Sequence, residues 1–249
     1  MARLKGILKI EGTLDELTFY KTQDGHLVKT KGGVSADRIA NDPNFQRTRE
    51  NGSEFGSSAT AGKVLRNAVR NLMMNAADNR VTSRLTQVMT VIKNYDTTSA
   101  RGERTVAVGI ADPAALALLK DFDFNDKAIL SGVLFAPFIV TPATGEIAIP
   151  AFVPLNDIAY PGGATHVNMK AAYANVDFTN EISAIEYSPV TNLPIDGTNT
   201  PVSLVPAGVP AGAGTKFYLL LLEFFQEVNG IQYPLKNGAY NVLNIVEAA

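Results

Sequence analysis

Few side chains in this sequence could perform nucleophilic, metal or acid–base chemistry. Cysteine is absent, and His26 and His166 are the two histidines. These counts exclude disulfides, thiolate chemistry and a histidine-rich metal site. His166 lies in the segment ATHVN, with no second histidine and no serine nucleophile motif nearby. That setting favours a structural histidine held by hydrogen bonds over a catalytic base.

The segment LKDFDFND, residues 119–126, begins like the Asp-x-Asp-x-Asn start of a calcium-binding loop. The turn-forming glycine of that motif is replaced by Asp126, and its bidentate glutamate is replaced by Gly132. The alternation of residue types instead predicts a strand with Phe122 and Phe124 buried on one face.

A second segment, GVPAGAGTK at residues 208–216, is similar to a phosphate-binding loop but lacks the Gly-Lys-Ser/Thr ending. No cluster of residue types typical of a catalytic site is found elsewhere, although distant residues can converge in a fold. We therefore expect no cofactor and no bound metal, and an enzyme is the least favoured class of function.

A basic helix face is the feature most compatible with binding a polyanion. Apolar residues recur at helical spacing from Ala61 to Ala76, which predicts an amphipathic helix with basic residues on its outer side. The candidate polyanion surface consists of Lys63, Arg66, Arg70, Arg80 and Arg84. It lacks a helix-turn-helix pattern and interleaved aromatic residues, so a solvated helix surface is the alternative.

Charge is unevenly distributed along the chain. Residues 1–110 contain 17 Lys/Arg and 11 Asp/Glu, whereas residues 111–249 contain 5 and 13. Two explanations stay open. The first is ordinary scatter of charge together with attraction within one molecule. The second is contact of the basic half with a polyanion or with the acidic half of a neighbouring copy.

Alternating residues from Leu4 to Lys31, with the turn Asp24-Gly25 between them, predict an N-terminal β-hairpin. An isolated hairpin is marginally stable in water, so this one must dock onto other structure. Asp42-Pro43 predicts the start of a short helix that ends at Asn51-Gly52. Two further apolar stripes, joined at residues 77–79, predict a helical hairpin.

From Gly102 onward, short β-rich runs are separated by Pro, Gly, Asn and Asp, which predicts a β-sandwich. One helix, PAALALLKDF, interrupts these runs and begins at Asp112-Pro113. The predicted fold class is α+β: an N-terminal β-hairpin and helical hairpin in residues 1–100, followed by a mainly antiparallel β-sandwich in residues 101–249.

The segment FYLLLLEFFQEVNGIQYP, residues 217–234, has too few apolar residues to cross a membrane, because a membrane-spanning helix needs roughly 20. A turn at Asn229-Gly230 pairs Val228 with Ile231 and Gln226 with Tyr233, which predicts a β-hairpin. The strand before the turn is apolar on both faces, as in a central strand. The second face of this strand holds Phe217, Leu219, Leu221 and Phe225. Three layers could cover it: the helical hairpin, a second sheet or a neighbouring subunit.

Several segments together resemble an uncharacterised protein family of Bacteroidota whose members lack a leader peptide. They include KGILKIEGTLDELTFYKTQDGHLVKTKGG, GERTVAVGI, PAFVPLNDIAYPGGATHVN and FFQEVNGIQYPLKNGAYNVLNIV. The resemblance spans nearly the whole chain. It implies no activity, cofactor or catalytic residue, because none is assigned to that family.

The leading hypothesis is a non-enzymatic structural protein that assembles with itself into an oligomer or a filament. The strand Leu4–Ile10 is the candidate for augmenting a neighbour's sheet, and an edge at Pro234 is one possible acceptor. The candidate assembly surface consists of Leu4, Ile7, Leu8, Ile10, Phe19, Tyr20, Phe217, Leu219, Leu221 and Phe225.

The alternative is a binding module that presents the basic helix face to nucleic acid or to an acidic protein. A ligand or carbohydrate binder that uses the Gly/Pro-rich loops is a third hypothesis. The N-terminus has no signal-peptide pattern, so a cytoplasmic location is expected, with release or another export route open. The sequence predicts no membrane span.

Overall fold

The structure, a computed structural model, describes residues 2–3, 10–30, 32–235 and 239–249. It has a mixed α+β fold with antiparallel sheets. The chain divides into two compact units, Met1–Glu50 and Asn51–Ala249.

The first unit is a small sheet followed by short helical turns. Its strands are β1 (Ala2–Arg3), β2 (Gly12–Leu14), β3 (Leu17–Thr22) and β4 (Gly25–Thr30). They form an antiparallel sheet in the order β1-β4-β3-β2. The predicted hairpin is confirmed as β3–β4, with a turn at Gln23-Asp24, one residue earlier than predicted. Helix α1 (Ala36–Asn41) follows, capped by the Ser35 side chain, which accepts a hydrogen bond from the Arg38 amide.

The helices of the rest of the chain are mostly short. They are α2 (Gln46–Ala68), α3 (Arg70–Met73), α4 (Val81–Ile92), α5 (Val106–Gly109), α6 (Pro113–Leu116), α7 (Leu130–Val133) and α8 (Pro154–Asp157). The predicted helical hairpin is confirmed as α2–α3 and α4, with a connection at residues 74–80 that contains the predicted residues 77–79.

The remaining strands form two sheets. They are β5 (Phe122–Asp123), β6 (Ile139–Thr141), β7 (Glu146–Ile149), β8 (His166–Asp177), β9 (Ile182–Tyr187), β10 (Thr191–Pro194), β11 (Val202–Leu204), β12 (Thr215–Val228), β13 (Ile231–Pro234) and β14 (Val242–Ala248). Among the described residues, the larger sheet runs β10-β8-β12-β14-β5, with β9 beside β8 and β13 beside β12. The smaller sheet is β11-β7-β6.

Strand β12 lies in the middle of the larger sheet and is buried on both faces. Phe217, Leu219 and Leu221 pack against the helices α2 to α6. The intervening Tyr218, Leu220 and Leu222 pack, together with other side chains of the larger sheet, against the smaller sheet. The protein's own helices therefore cover the second face of this strand.

The C-terminal hairpin has the predicted register. Val228 pairs with Ile231 and Gln226 with Tyr233. The turn residues have positive φ angles, 53° at Asn229 and 78° at Gly230, as a two-residue hairpin turn of this kind requires. Phe122 and Phe124 are also buried, as predicted, in the core that the helices share with the sheet.

Several local predictions are wrong. No helix ends at Asn51-Gly52, because α2 continues to Ala68. The cost of one exposed glycine in a helix, about 1 kcal/mol, is smaller than the packing gained by burying its later turns. The run RTVAVGI, residues 104–110, is one of the β-rich runs predicted after Gly102, but it forms helix α5, which the Thr105 side chain caps by accepting from the Val108 amide.

The boundary between the units falls at residue 50, whereas the sequence predicted it near residue 100. The physical reason is the shared core: Leu65, Leu85 and Ile92 of the helices pack in the same cluster as Leu219 and Leu243 of the sheet. The helical hairpin thus forms one unit with the strands that follow it.

Two glycines give a matched test of the helical layer. A β-carbon at Gly109 would lie 2.3 Å from the Ile92 carbonyl oxygen, so Gly109→Ala should lower the free energy of unfolding by about 1–3 kcal/mol. A β-carbon at Gly56, in α2, would meet no atom within 4 Å beyond its own helix backbone and chain neighbours. Gly56→Ala should therefore raise the same quantity by about 1 kcal/mol. Urea denaturation measures both, and equal effects would contradict the close contact at Gly109.

Candidate functional surfaces

The N-terminal sheet presents an apolar face. The strand pairing places Leu14 opposite Leu17 and Phe19 opposite Val28, and side chains of directly paired residues lie on the same face of a sheet. We call the surface formed by Leu14, Leu17, Phe19 and Val28 the Phe19 face. The opposite face includes Tyr20, over whose ring the Lys29 ammonium lies at 5.7 Å.

No side chain is buried in the described part of residues 1–50. Leu14 is 61% exposed and Leu17 is 41% exposed, while Phe19 and Val28 are partly exposed. Antiparallel sheets commonly pack one face on a core and leave the other to water. Among the described residues of this sheet, no side chain on either face reaches the burial of a core residue.

The structure separates the residues of the candidate assembly surface. Ile10 is exposed, and Phe19 and Tyr20 are partly exposed on opposite faces of the N-terminal sheet. Leu4, Ile7 and Leu8 lie outside the described residues.

The C-terminal members of that surface require a correction. Phe217, Leu219 and Leu221 are at most 1% exposed, because the helical layer packs over them, and Phe225 is half-buried. Phe217, Leu219 and Leu221 belong to the core and offer no free surface to a neighbour, whereas Phe225 is in neither core cluster.

The candidate polyanion surface is also smaller than predicted. Lys63, Arg70 and Arg80 are exposed. Arg66 donates from Nη1 to Thr82 Oγ1 at 2.7 Å and from Nε to the Gly62 carbonyl at 3.2 Å.

Arg84 is used inside the protein. It forms an ion pair with Asp78, donates to the Asp123 carbonyl at 2.8 Å and lies over the Phe122 ring at 5.2 Å. Its role is to join the start of α4 to strand β5. A guanidinium with these partners is not available to a phosphate, so the prediction for Arg84 is corrected.

A buried charge cluster lies at the end of the helical layer. Glu54 is 1% exposed and accepts hydrogen bonds from Arg104 Nε and Nη2 at 2.7 and 2.8 Å and from the Gly102 amide at 2.8 Å. It also pairs with the Lys93 ammonium. The Arg104 hydrogen bonds, against the effect of burial, lower the pKa of Glu54 to about 2.

Sequence reasoning missed this cluster, although a signal was present. Glu54 and Ser58 continue the helical spacing of the buried residues Ala61 and Leu65, and a carboxylate on an apolar stripe needs a buried partner. The partners Lys93 and Arg104 could not be identified from spacing, because they come from other segments.

A second buried carboxylate fixes the loop that follows α4. Burial alone would raise the pKa of Asp96, but hydrogen bonds from Ser99, Thr105 and Thr98 outweigh burial and lower it. Asp96 and Glu54 therefore stay ionised and fully bonded at neutral pH. A group in this state is a poor general acid or base, because its pKa lies far from the working pH.

His166 and a set of side-chain amides lie together at one end of the larger sheet. Thr165 Oγ1 is 3.0 Å from His166 Nδ1, and the His166 Nε2 to Glu227 Oε2 distance is 3.6 Å. Asn192 bonds to both Asn168 and Gln232. Among the described residues, no group of three or more His, Asp or Glu side chains could hold a metal ion.

Comparison of the chain with protein-family models, with curated proteins and with solved structures gives no match. The resemblance to the Bacteroidota family therefore stays a prediction. Within the part of the chain that the structure describes, no helix has the length and apolar character to cross a membrane.

The depressed pKa of Glu54 predicts acid sensitivity. Its ionised form contributes stability above the ordinary pKa of 4.5, and this contribution is lost as the pH falls toward about 2. Glu54→Ala leaves Lys93 and Arg104 without their carboxylate and should cost about 3 kcal/mol at pH 7. The variant should also lose part of the pH dependence between 4.5 and 2.

The matched control is Glu103→Ala, which removes an exposed carboxylate of the same loop. It should change the free energy of unfolding by less than about 0.5 kcal/mol. Urea denaturation across the pH range compares the two variants, and an acid response of Glu54→Ala that equals that of the unmodified protein would contradict the assignment.

Proposed function

We propose that the protein is a non-enzymatic structural protein that assembles with further copies of itself through the Phe19 face. The observation that carries this proposal is the absence of any buried side chain in the described part of residues 1–50. A sheet is stabilised by burying an apolar face. The Phe19 face has the apolar residues for such a layer, and the proposal is that another copy of the chain covers it.

The occupant that we propose is the same face of a second copy. Two copies related by a two-fold axis would stack their Phe19 faces as the layers of a small sandwich, about 10 Å apart. Such a contact is self-complementary, and closed homodimers of this type are the commonest soluble oligomers. Removing Leu14, Leu17, Phe19 and Val28 from water would supply the hydrophobic stabilisation that the isolated sheet lacks.

A filament needs a second contact, and the C-terminal hairpin is the candidate. Val228, Ile231 and Tyr233 are 47%, 57% and 52% exposed, and the register places all three on one face. Among the described residues, β13 pairs with β12 alone, so its other edge is open to a further strand. Pro234 lies on this strand, in agreement with the preference of proline for sheet edges.

The buried carboxylates support a non-enzymatic role. Glu54 and Asp96 each accept several hydrogen bonds and are held ionised within the fold. They connect helices and loops, and neither is available to transfer a proton.

A charge placed on the Phe19 face should prevent assembly. Phe19→Lys puts an ammonium group at the centre of the apolar surface, where its burial would be unfavourable. We expect the mass measured by sedimentation and light scattering to fall to that of the monomer, and electron microscopy to show no filaments.

Thr18→Lys is the matched control, because Thr18 is the neighbouring residue and lies on the opposite face of the same strand. It should assemble as the unmodified protein does. Hydrogen exchange of the amides in β3 and β4 checks that both variants keep the sheet. A monomeric unmodified protein at millimolar concentration, or assembly that survives Phe19→Lys, would disprove the proposal.

A further inference from the structure

A cleft of about 560 Å³ opens at the β5 edge of the larger sheet. Its walls come from β5, β14, helix α7 and the chain that follows α7. The lining residues are Asp121, Asp123, Leu130, Ser131, Leu134, Phe135, Phe138 and Asn244. All of them belong to the unit Asn51–Ala249, and none is cationic.

The polar wall contains an acceptor that lacks a donor. Asn244 is 2% exposed and donates from Nδ2 to Asp123 Oδ1 at 2.9 Å. Its side-chain oxygen is buried and accepts no hydrogen bond from the described residues. A buried acceptor without a donor is unfavourable, so the polar wall has hydrogen-bonding capacity that the fold leaves unused.

Asp123 adds a carboxyl group to the same wall. It lies opposite Asn244 in the β5–β14 pairing and accepts from the Leu130 amide at 2.9 Å. Asp121, on the other side of Phe122, is exposed and also lines the cleft. The backbone of Asp121 is left-handed, with φ of 62°, a conformation that aspartate tolerates better than most residues.

The opposite wall is apolar. Leu130 and Leu134 are buried, Phe138 is partly exposed and Phe135 is 59% exposed. An aromatic ring as exposed as Phe135, at the edge of a cleft, is available to contact a ligand. The cleft therefore combines hydrogen-bond acceptors and negative charge on one side with an apolar surface on the other.

We propose that this cleft binds a primary ammonium group that carries an apolar or aromatic body. A primary ammonium has three N–H donors, and the wall offers the Asp123 carboxylate and the Ser131 hydroxyl as acceptors, with the Asn244 side-chain oxygen buried beside Asp123. Asp121 adds negative charge at the surface. The apolar body would lie against Phe135 and Phe138.

Binding should depend on pH. Burial raises the pKa of Asp123 above its ordinary value of 3.8, and the negative charge of Asp121 acts in the same direction. The Asn244 and Leu130 hydrogen bonds and the Arg84 charge oppose this shift. Because the ionised carboxylate attracts the cation, affinity should be constant at neutral pH and fall as the pH drops through the raised pKa.

The test uses calorimetric titration of the full chain with 2-phenylethylamine at pH 7. Two probes of similar shape serve as comparisons: 2-phenylethanol, which lacks the charge, and trimethyl(2-phenylethyl)ammonium, which keeps the charge but has no N–H donor. Each should bind about tenfold more weakly, the effect of losing one hydrogen bond to a charged group. Equal binding of either comparison probe would overturn the proposal.

Protein variants locate the site. Asp123→Asn keeps the shape of the side chain and removes its charge. It should weaken the binding of 2-phenylethylamine about tenfold. Phe135→Ala should weaken the binding of 2-phenylethylamine more than the binding of n-butylamine, because only 2-phenylethylamine has a ring. Asp126→Asn removes an exposed carboxylate outside the cleft and should leave the affinity for 2-phenylethylamine unchanged.

Circular dichroism checks that each variant is folded. No binding of any amine at millimolar concentration to the folded protein, or unchanged binding by Asp123→Asn, would disprove the site.

The ammonium group could belong to a free amine or to a lysine side chain. A capped Lys-Phe dipeptide tests the second source in the same titration. Binding of the dipeptide at least as tight as that of 2-phenylethylamine would assign the cleft to a protein side chain. Binding of the free amine alone would assign it to a small molecule, and either result supports the proposed chemistry.

Discussion

The burial of strand β12 on both of its faces determines the arrangement of the unit Asn51–Ala249. A strand with apolar side chains on both of its faces needs a covering layer on each side. Helices α2 to α6 supply one layer and the β11-β7-β6 sheet supplies the other. The partners of β12 on either side, β8 and β14, are buried with it. Neither face of β12 between Phe217 and Leu222 is therefore open to a ligand or a partner.

Local patterns in the sequence predicted the elements that depend on neighbouring residues. The Asn229-Gly230 turn gave the register of the C-terminal hairpin, because the turn type determines the strand pairing. The apolar stripes from Ala61 to Tyr95 gave the helical hairpin. The mixed α+β class followed from these elements and from the alternation in the N-terminal strands.

Contacts between distant residues were beyond the reach of such patterns. Helix α5 formed from a β-branched sequence because the Thr105 cap and the packing of Gly109 against Ile92 outweigh a weak local propensity. The charge cluster around Glu54 brings together three segments of the chain. The same limit explains the candidate site residues: Phe217 and its neighbours were recognised as apolar and in need of a cover, but the cover itself is a tertiary contact.

The order of the strands in the larger sheet has a kinetic consequence. Strand β14 is inserted between β12 and β5, and the bond between Asp123 and Asn244 joins residues 121 positions apart. Sheets built from such distant pairings fold slowly. Until β14 arrives, the apolar run of β12 is an open edge with the composition of an aggregation-prone segment. Glu223, within that run, is the charged residue that would restrain association of the unfolded chain during this interval.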